Sequence, residues 1–122
     1  MTYQFEVFED VKSKFGLNIT IAKPGGFSIS SGMYHRYKLE EFSQAQLFFD
    51  KTKNAIGIKF GNNFEKGAFS LKHRDGNKGG YVAAKSFLTA YNLEKYFSKR
   101  YTPKEVDIEE IGRVFVLELE NE

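Results

Sequence analysis

The segment Arg74–Gly80 carries the residue types that bind phosphate groups. It reads Arg-Asp-Gly-Asn-Lys-Gly-Gly. Glycines let backbone N–H groups converge on an anion, and Arg and Lys supply positive charge. No GxxxxGK[ST] or GxGxxG pattern occurs, which excludes the two common nucleotide-binding loops. Because a solvated hairpin loop uses the same residues, we expect this segment to be a turn.

The two histidines, His35 and His73, are the side chains best suited to general acid–base chemistry. Arg36 follows His35 and can bind an anion. No carboxylate or nucleophile is spaced to orient His35, so the sequence predicts no catalytic residue. A small-molecule enzyme that uses His35 or His73 remains an alternative function.

The sequence of 122 residues gives little support for a metal site or a membrane-spanning segment. The chain has no Cys, which excludes thiolate nucleophiles, disulfides and Cys-based zinc sites. The histidines are not spaced as HxxxH or HExxH, so we expect no metal and no cofactor. No apolar run approaches ~20 residues, and the first ten residues do not resemble a secretory signal. We therefore expect a cytoplasmic protein without a membrane partner.

Positive charge is concentrated in the middle of the chain. Residues 51–100 hold eleven Lys and Arg against three acids, whereas residues 101–122 hold two against seven. A basic zone is typical of proteins that bind a phosphate backbone. An acidic tail folded across this zone would neutralise it, and edge strands also carry Lys. The predicted nucleic-acid contacts are Lys51, Lys53, Lys59, Lys72, Arg74, Lys78 and Lys85, with Lys23 and Arg36 as secondary positions.

Several aromatic residues stand near these cations: Tyr34, Tyr37, Phe69 and Tyr81. Single-stranded nucleic-acid binders stack bases on such rings. The same rings can instead pack in the core. Both interpretations stay open from the sequence.

Hydrophobic periodicity predicts the elements that must position these residues. Alternation indicates strands, and apolar positions at helical spacing indicate two short helices. Lys23-Pro24-Gly25-Gly26 predicts a hairpin turn. We expect one α+β domain over residues 1–122, with a mainly antiparallel sheet of six to eight strands in hairpins and two short helices on one face. The strands are predicted at 2–8, 17–22, 27–30, 44–50, 55–60, 68–73, 101–108 and 112–119, with 81–82 continuing a strand, and the helices run from Ser30 or Ser31 to Leu39 and over 83–91.

Residues 17–60 follow the order strand, Pro-Gly-Gly turn, strand, short helix, strand, turn, strand. This order, with Asn-Ile-Thr-Ile-Ala-Lys-Pro-Gly-Gly-Phe-Ser-Ile-Ser followed by Ala-Gln-Leu-Phe-Phe-Asp and Ala-Ile-Gly-Ile-Lys-Phe, resembles the swapped-hairpin domain of the AbrB and MraZ transcription-regulator families. The resemblance implies an intertwined homodimer that contacts DNA, and Lys23 and Arg36 match its basic positions. Ser30 or Ser31 replaces the family's helix-opening Pro, and Glu40-Glu41 departs from its Gly-Asp turn. The whole chain also resembles small prokaryotic or phage proteins, which implies no activity.

The sequence favours a nucleic-acid-binding or regulatory module without catalytic activity. The alternative is a protein–protein interaction or structural module of a small oligomer, in which the basic middle and the acidic tail set the assembly. Nucleic acid and a second copy of the chain are thus the expected partners.

Overall fold

The computed structural model describes residues 16–23, 25–64 and 66–119, so the predicted strand at 2–8 lies outside the described residues. The strands are β1 (Ile19–Ala22), β2 (Gly26–Ile29), β3 (Gln44–Asp50), β4 (Ala55–Gly61), β5 (Ala68–His73), β6 (Gly80–Ala83), β7 (Arg100–Tyr101), β8 (Lys104–Ile108) and β9 (Gly112–Glu118). The helices are α1 (Ser31–Arg36) and α2 (Lys85–Ala90), with 3-10 turns at Leu39–Glu41, Asp75–Asn77 and Glu94–Tyr96.

All nine described strands belong to one antiparallel sheet with the order β7-β1-β2-β6-β5-β3-β4-β9-β8. The predicted antiparallel sheet with two short helices is confirmed at this level. The strand number exceeds the predicted six to eight. One reason is that the single strand expected at 101–108 breaks at Thr102-Pro103 into β7 and β8, because Pro cannot donate to a sheet ladder.

Strand β5 links the two halves of the sheet. Its first residues, Ala68–Ser70, pair with β3, and its last residues, Leu71–His73, pair with β6. The sheet curls around this strand into a half-barrel. The hairpins β1–β2 and β3–β4, on which the AbrB and MraZ resemblance rests, are therefore separated in the sheet by β6 and β5. The resemblance and its dimer stay predictions.

The core fills the inside of the curl. Alternating residues of β1, β2, β4, β6 and β9 are buried together with residues of both helices. Full burial of one such apolar side chain contributes about 1.5–3 kcal/mol. The largest fully buried side chains are Tyr34, Phe27, Phe115, Ile19, Ile21, Ile29, Met33, Leu39, Ile56, Ile58, Leu88 and Leu117.

Both helices are shorter than predicted. Ser30 is the N-cap of α1, and its Oγ accepts a hydrogen bond from the Met33 N–H at 3.2 Å. The helix ends at Arg36 because Lys38 adopts a left-handed conformation with φ 52°. Helix α2 begins at Lys85 rather than residue 83. Helix α2 ends at Ala90, and the chain turns away at Asn92, which adopts a left-handed conformation with φ 57°.

No helix in the described part of the chain is long and apolar enough to cross a lipid bilayer.

Candidate nucleic-acid interface

One row of side chains crosses the outer face of five neighbouring strands. The pairing register aligns Arg100 of β7 with Thr20 of β1, Thr20 with Ser28 of β2, Ser28 with Tyr81 of β6, and Tyr81 with Lys72 of β5. Cross-strand partners share a face, and their inward neighbours are buried. Four inter-strand steps of about 4.8 Å make the row roughly 19 Å long. We call these five residues the outer row.

The outer row is positively charged. Lys72 and Arg100 are exposed at its β5 and β7 ends. The exposed Arg74, just after β5, turns back over the same face, and its Nη2 donates a hydrogen bond of 2.7 Å to Ser28 Oγ. The sequences of the five strands contain no Asp or Glu. Three cations therefore lie along this face without a carboxylate between them.

Tyr81 places an aromatic ring among these cations. A Cβ added at Gly26 would collide with the Tyr81 ring, so the ring lies directly over the backbone of β2. Its hydroxyl donates a hydrogen bond of 3.4 Å to the Gly25 carbonyl. The side chain is half-buried. Gly26 is thus the residue that lets the ring lie against the sheet while part of it stays accessible.

Three other predicted basic residues flank the outer row. Lys78 is exposed in the β5–β6 connection, which the Arg74 N–H closes by donating to the Gly79 carbonyl at 2.9 Å. At the opposite end of β2 and β6, Lys23 is exposed in the β1–β2 turn. Lys85 opens α2 beside this turn, since the Ala84 N–H donates to the Gly25 carbonyl. Gly79 itself is explained by packing, because a side chain there would collide with the Ile29 carbonyl.

The remaining predicted contacts lie elsewhere. Lys51 and Lys53 are exposed in the β3–β4 turn. Because Gln44 pairs with Ser70, Lys51 lies about nine residues along the strand direction from Lys72, on the order of 30 Å. Lys59 is half-buried on β4 and donates to the Ile111 carbonyl. The structure thus brings together only part of the predicted set.

Arg36 lies on another surface, separate from the outer row and from the β3–β4 turn. Its guanidinium lies 5.8 Å from the centroid of the Tyr37 ring, and Arg113 of β9 lies 5.3 Å from the same centroid. These are cation–π distances. Tyr37 in turn packs on Phe115, with ring centroids 4.7 Å apart. Arg36 is therefore tied to the β9 side of the molecule.

In the strand order, the acidic carboxy-terminal segment lies at the opposite end of the sheet from the outer row, although β8 follows β7 after two residues. It forms β8 and β9, which pair with each other and with β4. Its ion pairs among the described residues are internal: Lys104–Glu118 at 2.8 Å and Arg113–Glu105 at 3.5 Å. Among the described residues, no carboxylate of this segment forms an ion pair with Lys72, Arg74 or Arg100.

Both histidines meet at Tyr34. Tyr34 Oη lies 2.6 Å from His73 Nδ1, and the His35 ring packs edge-on against the Tyr34 ring. Burial raises the pKa of Tyr34 above its usual value of 10.0, with a further contribution from Glu40. Within the described ranges, no cluster of His, Cys, Asp or Glu could hold a metal ion.

A separate apolar groove of about 460 Å³ lies on the outer face of β3, β4, β9 and β8. Gly57 forms part of its floor, since a Cβ there would come within 2.9 Å of Val114 Cγ1. Neither histidine lines it. The walls include Phe48, Val106, Ile108, Ile111, Val114 and Val116, and the charged residues along it are Asp50, Lys53, Lys104 and Glu118.

Sequence reasoning named Lys72, Arg74 and Tyr81 but missed Arg100, Thr20 and Ser28. Arg100 precedes the buried Tyr101 in a strand of two residues, which is too short for an alternation pattern. Only the pairing of β7 with β1 places Arg100 on the outer row.

Comparisons of the chain with protein-family models, with curated proteins and with solved structures found no match, so its function must be inferred from the geometry of these surfaces.

Proposed function

We propose that this protein binds single-stranded nucleic acid across the outer row. The observation that carries the proposal is the alignment of Arg100, Tyr81 and Lys72 on one face of strands that contain no Asp or Glu, with Arg74 hydrogen-bonded to Ser28. Phosphate contacts supply most of the affinity of such proteins, and stacked bases supply the rest.

The shape of the surface favours a single strand over a duplex. Direct reading of duplex DNA uses an element that enters the major groove, such as a helix or a two-stranded ribbon. The outer row instead lies across five strands and carries a ring held against the sheet. Sheet-borne aromatic rings between cations are what single-strand binders use to stack successive bases. A row of roughly 19 Å accommodates a few nucleotides, at 3.4 Å or more for each.

The arrangement of hydroxyls supports the same function. Thr20 and Ser28 stand between Arg100 and Tyr81. Hydroxyl groups donate hydrogen bonds to phosphate and sugar oxygens in many complexes. Because Ser28 Oγ already accepts from Arg74 at 2.7 Å, the guanidinium is positioned before any ligand arrives. This positioning lowers the entropy cost of binding.

The test is a fluorescence-anisotropy titration of labelled oligothymidylate and of a mixed-sequence duplex at several salt concentrations. We expect tighter binding of the single strand and an affinity that falls with salt. A triple variant, Lys72→Glu, Arg74→Glu and Arg100→Glu, should flatten the slope of log K against log salt by about 2, since each single-strand phosphate contact contributes about 0.7.

The matched control is a second triple variant, Lys51→Glu, Lys53→Glu and Lys95→Glu. It changes the net charge equally, so long-range attraction falls by a comparable amount. These residues are exposed and belong to the β3–β4 turn and the 3-10 turn near it. An equal loss in both triple variants would refute the outer row as the binding face. No binding at low salt would refute the function itself.

A further inference from the structure

The apolar groove on β3, β4, β9 and β8 leaves hydrophobic side chains uncovered among the described residues. Val106 is 38% exposed and Ile108 is 36% exposed, and both line this groove. Contiguous exposed apolar surface usually marks a place where another chain segment or partner docks. Strand β8 also has a free edge in the described sheet, because its pairing partner there is β9 alone.

The chain leaves the described structure near this surface. Ile19 of β1 pairs with Tyr101 of β7 in antiparallel register. Gly16 precedes Ile19 by three residues, and Lys104 follows Tyr101 by three, so both lie beyond the same end of the β1–β7 pair. Gly16 itself is held at this end, because its carbonyl accepts a hydrogen bond of 2.5 Å from Ser30 Oγ, the N-cap of α1.

The length of the amino-terminal segment suffices to reach the groove. The distance from Gly16 to Lys104 is at most about 25 Å, which is the length of three residues on each strand plus one inter-strand spacing. The nine Cα steps from Val7 to Gly16 extend to about 30 Å. Residues before Val7 can therefore lie on the outer face of β8 and β9 without any change in the described fold.

The sequence of the segment complements the groove. Tyr3, Phe5 and Val7 alternate with the polar Gln4 and Glu6, so an extended chain presents three apolar side chains on one side.

We propose that residues 3–7 of the same chain dock in the apolar groove as an extended segment, with Tyr3, Phe5 and Val7 against Val106, Ile108 and Val116. This docking site lies on β3, β4, β8 and β9, whereas the outer row lies on the other five strands. It is therefore independent of the proposed nucleic-acid binding, and it covers the side chains that the described fold leaves exposed.

Paramagnetic relaxation measured by NMR on the full chain tests the proposal. The chain has no cysteine, so a nitroxide attached to Glu6→Cys is the single label, and the substitution keeps Tyr3, Phe5 and Val7. We expect the methyl signals of Val106, Ile108 and Val116 to be lost, while those of Val82 on β6, in the other half of the sheet, are much less affected. Adding Phe5→Lys to the labelled variant should restore the groove signals.

Two controls separate the segment from other occupants. In an equal mixture of isotope-labelled unmodified protein and unlabelled nitroxide protein, the groove signals should remain, because the contact is within one chain. A nitroxide at Lys78→Cys should instead weaken signals of β6 and leave the groove unaffected. Groove signals that persist with the Glu6→Cys label would overturn the proposal. Loss of those signals in the mixture would overturn it in favour of a second copy of the chain.

Discussion

Tyr34 and His73, 39 residues apart, are joined by a hydrogen bond of 2.6 Å between Tyr34 Oη and His73 Nδ1. Tyr34 is a fully buried residue of α1, and His73 is the last residue of β5. The contact fixes α1 against the strand that links the two halves of the sheet. Because this hydrogen bond holds a helix against a strand, it indicates a structural role for both residues.

Tyr34→Phe should lower the free energy of unfolding by about 1 kcal/mol, because the hydrogen bond to His73 is lost while the ring is kept. Urea denaturation near neutral pH measures this change. Tyr37→Phe is the matched control, since the Tyr37 hydroxyl makes only a 3.5 Å contact with Glu105. Equal stability of Tyr34→Phe and the unmodified protein would show that the bond contributes nothing.

Alkaline pH should destabilise the protein partly through Tyr34. Burial raises the pKa of this phenol in the folded state, so the folded protein holds the proton more tightly than the unfolded chain. The contribution is therefore complete below the unfolded pKa of about 10 and is lost as the pH rises through the folded pKa. Urea denaturation at about pH 8 and at successive higher values should show a smaller alkaline loss in Tyr34→Phe. Superimposable profiles would contradict the assignment.

Tyr81→Ala should weaken single-strand binding by about 1–3 kcal/mol, the loss expected for one stacked base. Tyr91→Ala is the control, because Tyr91 is an exposed aromatic residue that packs beside Phe49, away from the outer row. Anisotropy titration at one salt concentration measures both. If Tyr81→Ala binds as tightly as the control, the ring does not stack on a base.

Ser30→Ala should lower the free energy of unfolding by about 0.5–2 kcal/mol, the usual loss for an N-cap. Ser30 Oγ also accepts from the Asn18 N–H at 3.0 Å and donates to the Gly16 carbonyl, which favours the upper part of that range. Ser31→Ala, one residue further along, removes a hydroxyl that does not cap α1. Thermal denaturation should give a lower midpoint temperature for Ser30→Ala than for Ser31→Ala. Equal midpoint temperatures would argue against the cap.

Phe115→Ala should lower the free energy of unfolding by about 3–5 kcal/mol. The ring is 2% exposed and packs against Tyr37 and Phe60, with centroid distances of 4.7 and 5.7 Å. Phe48→Ala is the same chemical change at a half-buried position along the apolar groove, so its loss should be smaller. Chemical denaturation ranks the two, and a larger loss for Phe48→Ala would contradict the described core.

Local patterns in the sequence determined most of the described elements. The alternation in residues 44–50 and 55–60 predicted β3 and β4, because a half-buried strand exposes every second side chain. The Pro-Gly-Gly turn predicted the β1–β2 hairpin, since Pro and Gly favour its backbone angles. Tyr91 shows the limit of such patterns: the helix is predicted over residues 83–91, but α2 ends at Ala90 and the Tyr91 ring is 38% exposed.

Only the tertiary structure decided which residues share a surface. The charge of residues 51–100 predicted one basic zone, yet Lys51 and Lys72 lie on different parts of the sheet. Arg100 joins Lys72 because β7, β1, β2, β6 and β5 are neighbours in the sheet, although the two residues are 28 positions apart in sequence. Strand order and register depend on the simultaneous packing of core side chains from distant parts of the chain. No short stretch of sequence contains that information.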